Sequence, residues 1–201
     1  MLLARAQPNE AQQGGTTMSS TETTKLSGRY NIDKTHSRIG FSARHAMVTK
    51  VRGSFDEFEA SGYFDEDNPA NSSVEVSIDV ASINTRNADR DAHLRTNDFL
   101  AADEHPKITF RSTSVKRDGD TYTVTGDLTL RGITKPVTIE FEHTGAAVDP
   151  WGNQRIGFEG GTTINRKDWG VTWNAALETG GVLVSEKVNL EFEVAAVKAA
   201  E

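Results

Sequence analysis

The stretch YTVTGDLTL, residues 122–130, places Tyr122, Val124, Gly126, Leu128 and Leu130 on one face and Thr123, Thr125, Asp127 and Thr129 on the other. A period of two is the mark of a half-buried β-strand, because successive side chains of an extended chain point to opposite sides. The same pattern spreads outward in both directions. Residues 74–80, VEVSIDV, set Val74, Val76, Ile78 and Val80 against Glu75, Ser77 and Asp79. Val137, Ile139 and Phe141 oppose Thr138, Glu140 and Glu142, and Val188, Leu190, Phe192 and Val194 oppose Asn189, Glu191 and Glu193. Toward the N-terminus Ile39, Phe41, Ala43 and His45 share a face. Alternation this regular predicts antiparallel sheet with one dry face.

Turn signals punctuate the runs. Asp118–Gly119 marks a tight hairpin between strands at 107–116 and 121–131. RGITKP (131–136) and DPWGN (149–153) supply the next two connections. The run from Val51 to Phe64 slips phase between Phe55 and Phe58, which predicts a bulge or bend at Asp56–Glu57. Two segments break the strand pattern. NADRDAHLRTNDFLAADEHP (87–106) reads as a short helix within 87–100, with Asn87 as N-cap, Asp89 and Asp91 in the first turn, and Asp91 pairing Arg95 one turn on. NRKDWGVTWNAALETGG (165–181) reads as irregular or briefly helical. About eight strands, each wet on one side, bury their dry faces and lose their edges together by closing into a barrel. A two-sheet sandwich is the alternative, with strands usually shorter than these. The expected fold is all-β: an eight-stranded antiparallel barrel with 87–100 as a polar helix or loop lid.

A chain of 201 residues suffices for one domain with a substantial core. Residues 1–28, rich in Gln, Thr, Ser and Gly, are expected to form a disordered tail, leaving 29–198 as the barrel domain. The apolar cluster Leu2–Leu3–Ala4 is too short for the core of a signal peptide, so a cytoplasmic location is expected, with Met18 as an internal start to consider. No stretch approaches the roughly 18 apolar residues of a membrane-spanning helix. A net charge of −7 argues against a nucleic-acid partner. The absence of cysteine excludes disulfides, thiolate metal ligands and cysteine nucleophiles.

Projected inward, the dry faces bring together Ile39, Phe41, Phe58, Val76, Ile78, Ile108, Phe110, Leu128, Leu130, Ile139, Phe141, Ile156, Phe158, Leu190 and Phe192. Phe99 and Trp169, from the two irregular segments, join them as candidate apolar contacts. Ala43, Gly62, Gly126, Gly160 and Ala196 lie on the same faces and are expected to leave space. An eight-stranded barrel is either filled by its own side chains or holds one small ligand, and alternation alone leaves both open. His45, Arg90 and His93 are the candidate polar contacts at a mouth. In an enzyme, His45 or His93 would be the acid–base group. Three or four convergent ligands make a transition-metal site, and Asp89, His93 and His105 lack the spacing. Neither a metal nor another cofactor is expected. His36 and Ser37, adjacent on a strand, point to opposite faces, and there is no G-x-S-x-G elbow or glycine-rich phosphate loop, so no catalytic residue is assigned.

NADRDAHLRTNDFLAADEHPKITFRST (87–113), GDLTLRGITKPVT (126–138), YNIDKTHSRIGFSARHAMVTKVRGSF (30–55) and RIGFEGGTTINRKDWGV (155–171) resemble the YceI-like family, and the likeness runs in order from Tyr30 to Val197. The matching positions include His36, Ser37, Phe41, His45, Gly53 and Phe55, then Arg90, Asp91, His93 and Phe99, and later Arg131, Gly132, Arg166, Asp168 and Gly170. Tyr30 stands where the family often has tryptophan, and His105 where an aromatic residue is usual. The resemblance implies a lipocalin-like barrel that holds a long apolar molecule, a polyisoprenoid or a fatty-acid-like acyl chain, in its pore. A carrier or store is then the leading expectation, an enzyme acting on such a lipid the alternative. A homodimer is a further expectation, and the ligand's head group is left open.

Overall fold

The computed structural model describes residues 25–200. Their extended segments are β1 (Gly28–Ile32), β2 (Arg38–His45), β3 (Thr49–Phe55), β4 (Phe58–Phe64), β5 (Ser73–Asp79), β6 (Ile83–Asn84), β7 (Lys107–Asp118), β8 (Thr121–Leu130), β9 (Ile133–Val148), β10 (Gln154–Asn165) and β11 (Val184–Lys198). The one α-helix among the described residues, α1, spans Ala88–Arg95.

These segments compose eight strands, because three strands are interrupted. β1 and β2 are halves of one strand, and both pair with β11. Between Ile32 and Arg38 the chain makes an excursion through a 3-10 turn at Lys34–His36, while β11 advances only from Ala196 to Glu193. β3 and β4 form the second strand, pairing with β2 and β1 respectively. Their break falls at Asp56–Glu57, where the hydrophobic phase slips. There the Asp56 N–H turns to the Ser82 carbonyl, and the Glu57 carbonyl accepts from Asp79. β5 and β6 form the third strand, broken by a 3-10 turn at Val80–Ser82 and paired with β4 and β3. From β7 to β11 each strand bonds to the one before it, with β7 on β5 and β11 returning to β1 and β2. All pairings are antiparallel, so the sheet closes as an up-and-down barrel.

The turns follow backbone chemistry. β8 and β9 join through Arg131–Gly132, both at positive φ (52° and 73°), as in a two-residue turn whose twist matches the strands. Pro136, read from the sequence as part of this connection, lies inside β9 opposite Asp127. β10 reaches only to Glu140, so β9 pairs on one side there and the missing N–H of Pro136 leaves no broken rung. β7 runs on to Asp118, and Gly119–Asp120 make the next turn. Asp149–Asn153 is a turn as expected, closed by Asp149 N–H to the Asn153 carbonyl.

Because strand direction alternates, the β2–β3, β6–β7, β8–β9 and β10–β11 connections gather at one end of the barrel. The β2–β3 and β8–β9 connections are short; the long ones carry α1 and the Arg166–Trp169 3-10 turn, and they form a lid. The β4–β5, β7–β8 and β9–β10 connections gather at the other end. There Arg155 donates to Asp33 (2.6 Å) and to Asp149 (2.8 Å), tying the β1–β2 excursion to the β9–β10 turn. Residues 1–24 of the expected tail lie outside the described residues. Leu26 packs against the core and Gly28 opens β1.

Candidate ligand-binding cavity

Inward side chains from all eight strands surround a cavity of about 360 Å³, within the range of roughly 300–1,000 Å³ usual for small-molecule sites. It extends from Leu94, Phe99 and Val184 beneath the lid to Tyr30, Phe64 and Val115 at the far end. Among the described residues its wall is largely hydrocarbon and aromatic, with a single charged side chain, Arg166. The phenols of Tyr30 and Tyr122 also line it, and burial pushes both above the ordinary tyrosine value, which keeps them neutral.

Aromatic rings shape the bore through glycines. A Cβ at Gly53 would stand 2.4 Å from Cζ of Phe41, its cross-strand partner, and one at Gly160 would stand 2.7 Å from Cδ1 of its partner Phe141. At Gly126 it would meet the Phe110 ring and the Arg111 carbonyl, both at 2.5 Å. The expectation that Gly62, Gly126 and Gly160 leave unfilled space is therefore corrected. At Gly126 and Gly160 a neighbouring phenylalanine lies across the glycine, and at Gly62 the Ser73 carbonyl occupies the place of a side chain. The phenylalanines that take the place of a glycine side chain are themselves lining residues.

All the expected apolar contacts line the cavity except Phe58 and Trp169. Both are buried in the core instead, and the Trp169 indole N–H donates to the Leu128 carbonyl at 3.1 Å. The three polar candidates do not reach the lining. His45 keeps the inward register of β2 but lies past the rim and is exposed. Arg90 is spent on Thr85, donating from Nε to its hydroxyl (2.7 Å) and from Nη2 to its carbonyl (2.8 Å). Asp91, buried, accepts from the Thr85 N–H and hydroxyl and does not pair with Arg95. Arg95 donates to the carbonyls of Ala81 and Ile83. The charges of α1 thus bolt the helix to residues 81–85, in and around β6. His93 bonds Asp98 at 2.8 Å and packs edge-on against Phe99 and Trp173, with centroids 5.0 and 4.9 Å away. Among the described residues no three His, Asp or Glu side chains gather as a metal site would require, and His105 lies over Gly132.

One polar group that the sequence reading did not assign to the site lines the cavity, and a second lies beside the lining without joining it. Arg166 is 4% exposed, and its guanidinium donates to the carbonyls of Ser185, Val171, Trp173 and Val184. Burial lowers its pKa, and it has no carboxylate partner among the described ion pairs. It is missed because its neighbours Lys167 and Asp168 read as an ordinary polar turn. At the far end His143 sits among Phe64, Tyr122 and Phe158, its ring 5.0 Å from that of Phe158. Its Nε2 is the one buried side-chain nitrogen or oxygen among the described residues without a hydrogen-bond partner. Its inward register was legible, its solitude was not.

Chemically the cavity offers burial of a long apolar body, and its described lining residues include no nucleophile–base pair. Over 144 residues the chain is 46% identical to the protein YceI of Shigella flexneri, covering 71% of this chain and 75% of that one. Burkholderia cenocepacia BcnA superposes with a TM-score of 0.72 at 25% identity, covering 82% of this chain and 98% of the other. A polyisoprenoid-binding domain of Saccharophagus degradans, implicated in plant cell wall breakdown, shares the fold with a TM-score of 0.63 at 17% identity, over 85% and 98% of the two chains. Residues 30–196 match the YceI-like domain, and the chain belongs to that family.

Proposed function

We propose that the protein binds a long apolar lipid, a polyisoprenoid or a fatty-acid-like chain, non-covalently within the barrel, and stores or carries it. The observation that carries this reading is the lengthwise cavity of about 360 Å³, walled largely by apolar side chains with Arg166 the one charge among the described lining residues. Expelling water from such a wall is worth roughly 25 cal/mol per Å² of apolar surface, which favours a chain-like occupant over a polar one. The polyisoprenoid-binding domain of S. degradans, built on the same fold, supports the same class of ligand. The enzyme alternative draws nothing from the geometry, since His45 and His93 both stand off the cavity wall. Organic extraction of the purified protein, followed by mass spectrometry, is expected to release a prenyl or acyl lipid near one per chain. A lipid-free extract, together with no uptake of added farnesol or palmitate, would overturn the proposal.

A further inference from the structure

We infer that the β2–β3 hairpin is a docking device for an anionic lipid bilayer, set at the lid end of the barrel. Its turn, Ala46–Val48, exposes Met47 and Val48 at 60% and 76%. Ala46 and Met47 both hold positive φ, 49° and 62°, a conformation that favours Gly, Asn or Asp and gives no advantage to an apolar side chain. The turn's backbone therefore gains nothing from methionine and valine here, whereas a hydrocarbon phase would accept their exposed side chains.

The strands behind the tip carry a second signal. Arg44 and Lys50 are directly paired across β2 and β3, and Arg52, paired with Ser42, follows on the same outer face. Like charges opposite one another on a sheet are destabilising, so this pairing also works against the isolated fold. Arg44, Lys50 and Arg52 are exposed and form no ion pair among the described residues; the Arg44 guanidinium donates only to the Val48 carbonyl. Residues 44–52, RHAMVTKVR, hold no acid, although the chain carries a net charge of −7. The nearest loop contributes one exposed acid, Glu178, and touches the hairpin through the Ala46 N–H to the Leu183 carbonyl.

An apolar tip backed by unneutralised cations matches the order of a bilayer, hydrocarbon beneath anionic head groups, better than it matches a nucleic acid or an acidic protein, neither of which needs the tip. At the opposite end Trp151 and Val148 are also exposed, but their turn, residues 148–153, holds no cation of its own, and the adjacent Arg155 is already paired with Asp149 and Asp33, so that turn lacks the cationic half of the pattern.

Co-sedimentation of the full chain with vesicles tests this. Binding to mixed phosphatidylcholine–phosphatidylglycerol vesicles is expected, with little binding to phosphatidylcholine alone and release at high salt. Met47→Asp combined with Val48→Asp sits on an exposed turn where Asp tolerates the backbone, and should weaken binding about tenfold or more. Arg44→Gln, Lys50→Gln and Arg52→Gln should each cost about fivefold. Trp151→Asp should leave binding unchanged. Absence of vesicle binding, binding indifferent to the tip substitutions, or loss confined to Trp151→Asp would each overturn the inference. So would salt-sensitive capture of DNA or an acidic protein with no affinity for vesicles.

Discussion

Arg166 brings a full charge into a wall otherwise built of hydrocarbon, and four carbonyl oxygens hold it there. In Arg166→Met those carbonyls lose their donor while the side-chain volume is roughly kept. The expected loss is about 2–4 kcal/mol in urea denaturation, the cost of leaving buried acceptors unsatisfied. Arg166→Lys should recover little, because an ammonium cannot span the geometry of the guanidinium fork. At the other end of the barrel, Asp33 and Asp149 share Arg155. Asp33 is held well below the usual carboxylate range by hydrogen bonds from Thr35, Arg155 and His36. For Asp149 burial acts upward, but hydrogen bonds from Asn153, Arg155 and Trp151 outweigh it and bring the pKa to about 2. A carboxylate depressed in the folded state stabilises fully above its unfolded value, about 3.9, and that stability drains away as pH falls through the folded value. The urea midpoint should therefore fall between about pH 4 and 2, and Asp33→Asn with Asp149→Asn should flatten that part of the profile. A double variant as acid-sensitive as the parent would show that other carboxylates control the fall.

The pairing of glycine with phenylalanine belongs to the strands as elements. A lone inward glycine reads in sequence as vacancy, because the side chain that will lie over it comes from a neighbouring strand whose register is not yet known. Once β2 and β3 are in register, Gly53 faces Phe41, and the ring occupies the place a Cβ would take. Gly53 gives the cleanest test, since the atoms nearest a new methyl there are all side chain, Phe41 at 2.4 Å and Thr85 at 2.9 Å. Gly53→Ala should leave the barrel closed but turn the Phe41 ring into the bore, lowering lipid capacity with a modest loss of stability, about 1–3 kcal/mol. Gly126→Ala is a harsher change, because its Cβ would also press on the Arg111 carbonyl and so on the β7–β8 pairing. If Gly53→Ala takes up lipid as the parent does, Phe41 has room to move elsewhere than the bore. Alternation made the strands themselves legible, and the phase slip at Asp56–Glu57 marked a real break. The α1 region was legible as a capped helix, with Asn87 accepting from the Arg90 N–H. The partners of its charges were not, because Thr85, Ala81 and Ile83 come from the segment before the helix and meet it only after folding.

For the molecule as a whole, parity along each strand told which side chains point in, but not how far apart the facing walls stand. That distance depends on strand tilt and stagger around the closed ring, quantities no single strand carries. Hence the wall of the cavity was largely readable, while Phe58, inward by pattern, and Trp169, an apolar candidate from an irregular segment, are both packed into the core and were not separable from it. The choice between filled core and open bore was likewise beyond alternation. A bore that runs lengthwise makes a quantitative demand on its ligand. Each methylene moved from water into an apolar wall contributes about 0.8 kcal/mol, close to fourfold in affinity. Across a series of saturated fatty acids, affinity should climb by about that factor per methylene while the tail is still entering the bore. It should then level off once the tail reaches the aromatic cluster of Phe64, Tyr122 and Phe158 at the far end. Thermal stability should follow the same curve at fixed ligand concentration, because a ligand that binds only the folded chain raises its stability with the logarithm of its affinity. Calorimetric titration and thermal melts over the series measure both. A steady climb with no plateau would place much of the tail outside the barrel, and a flat response would remove the cavity as the binding site while leaving the barrel fold untouched.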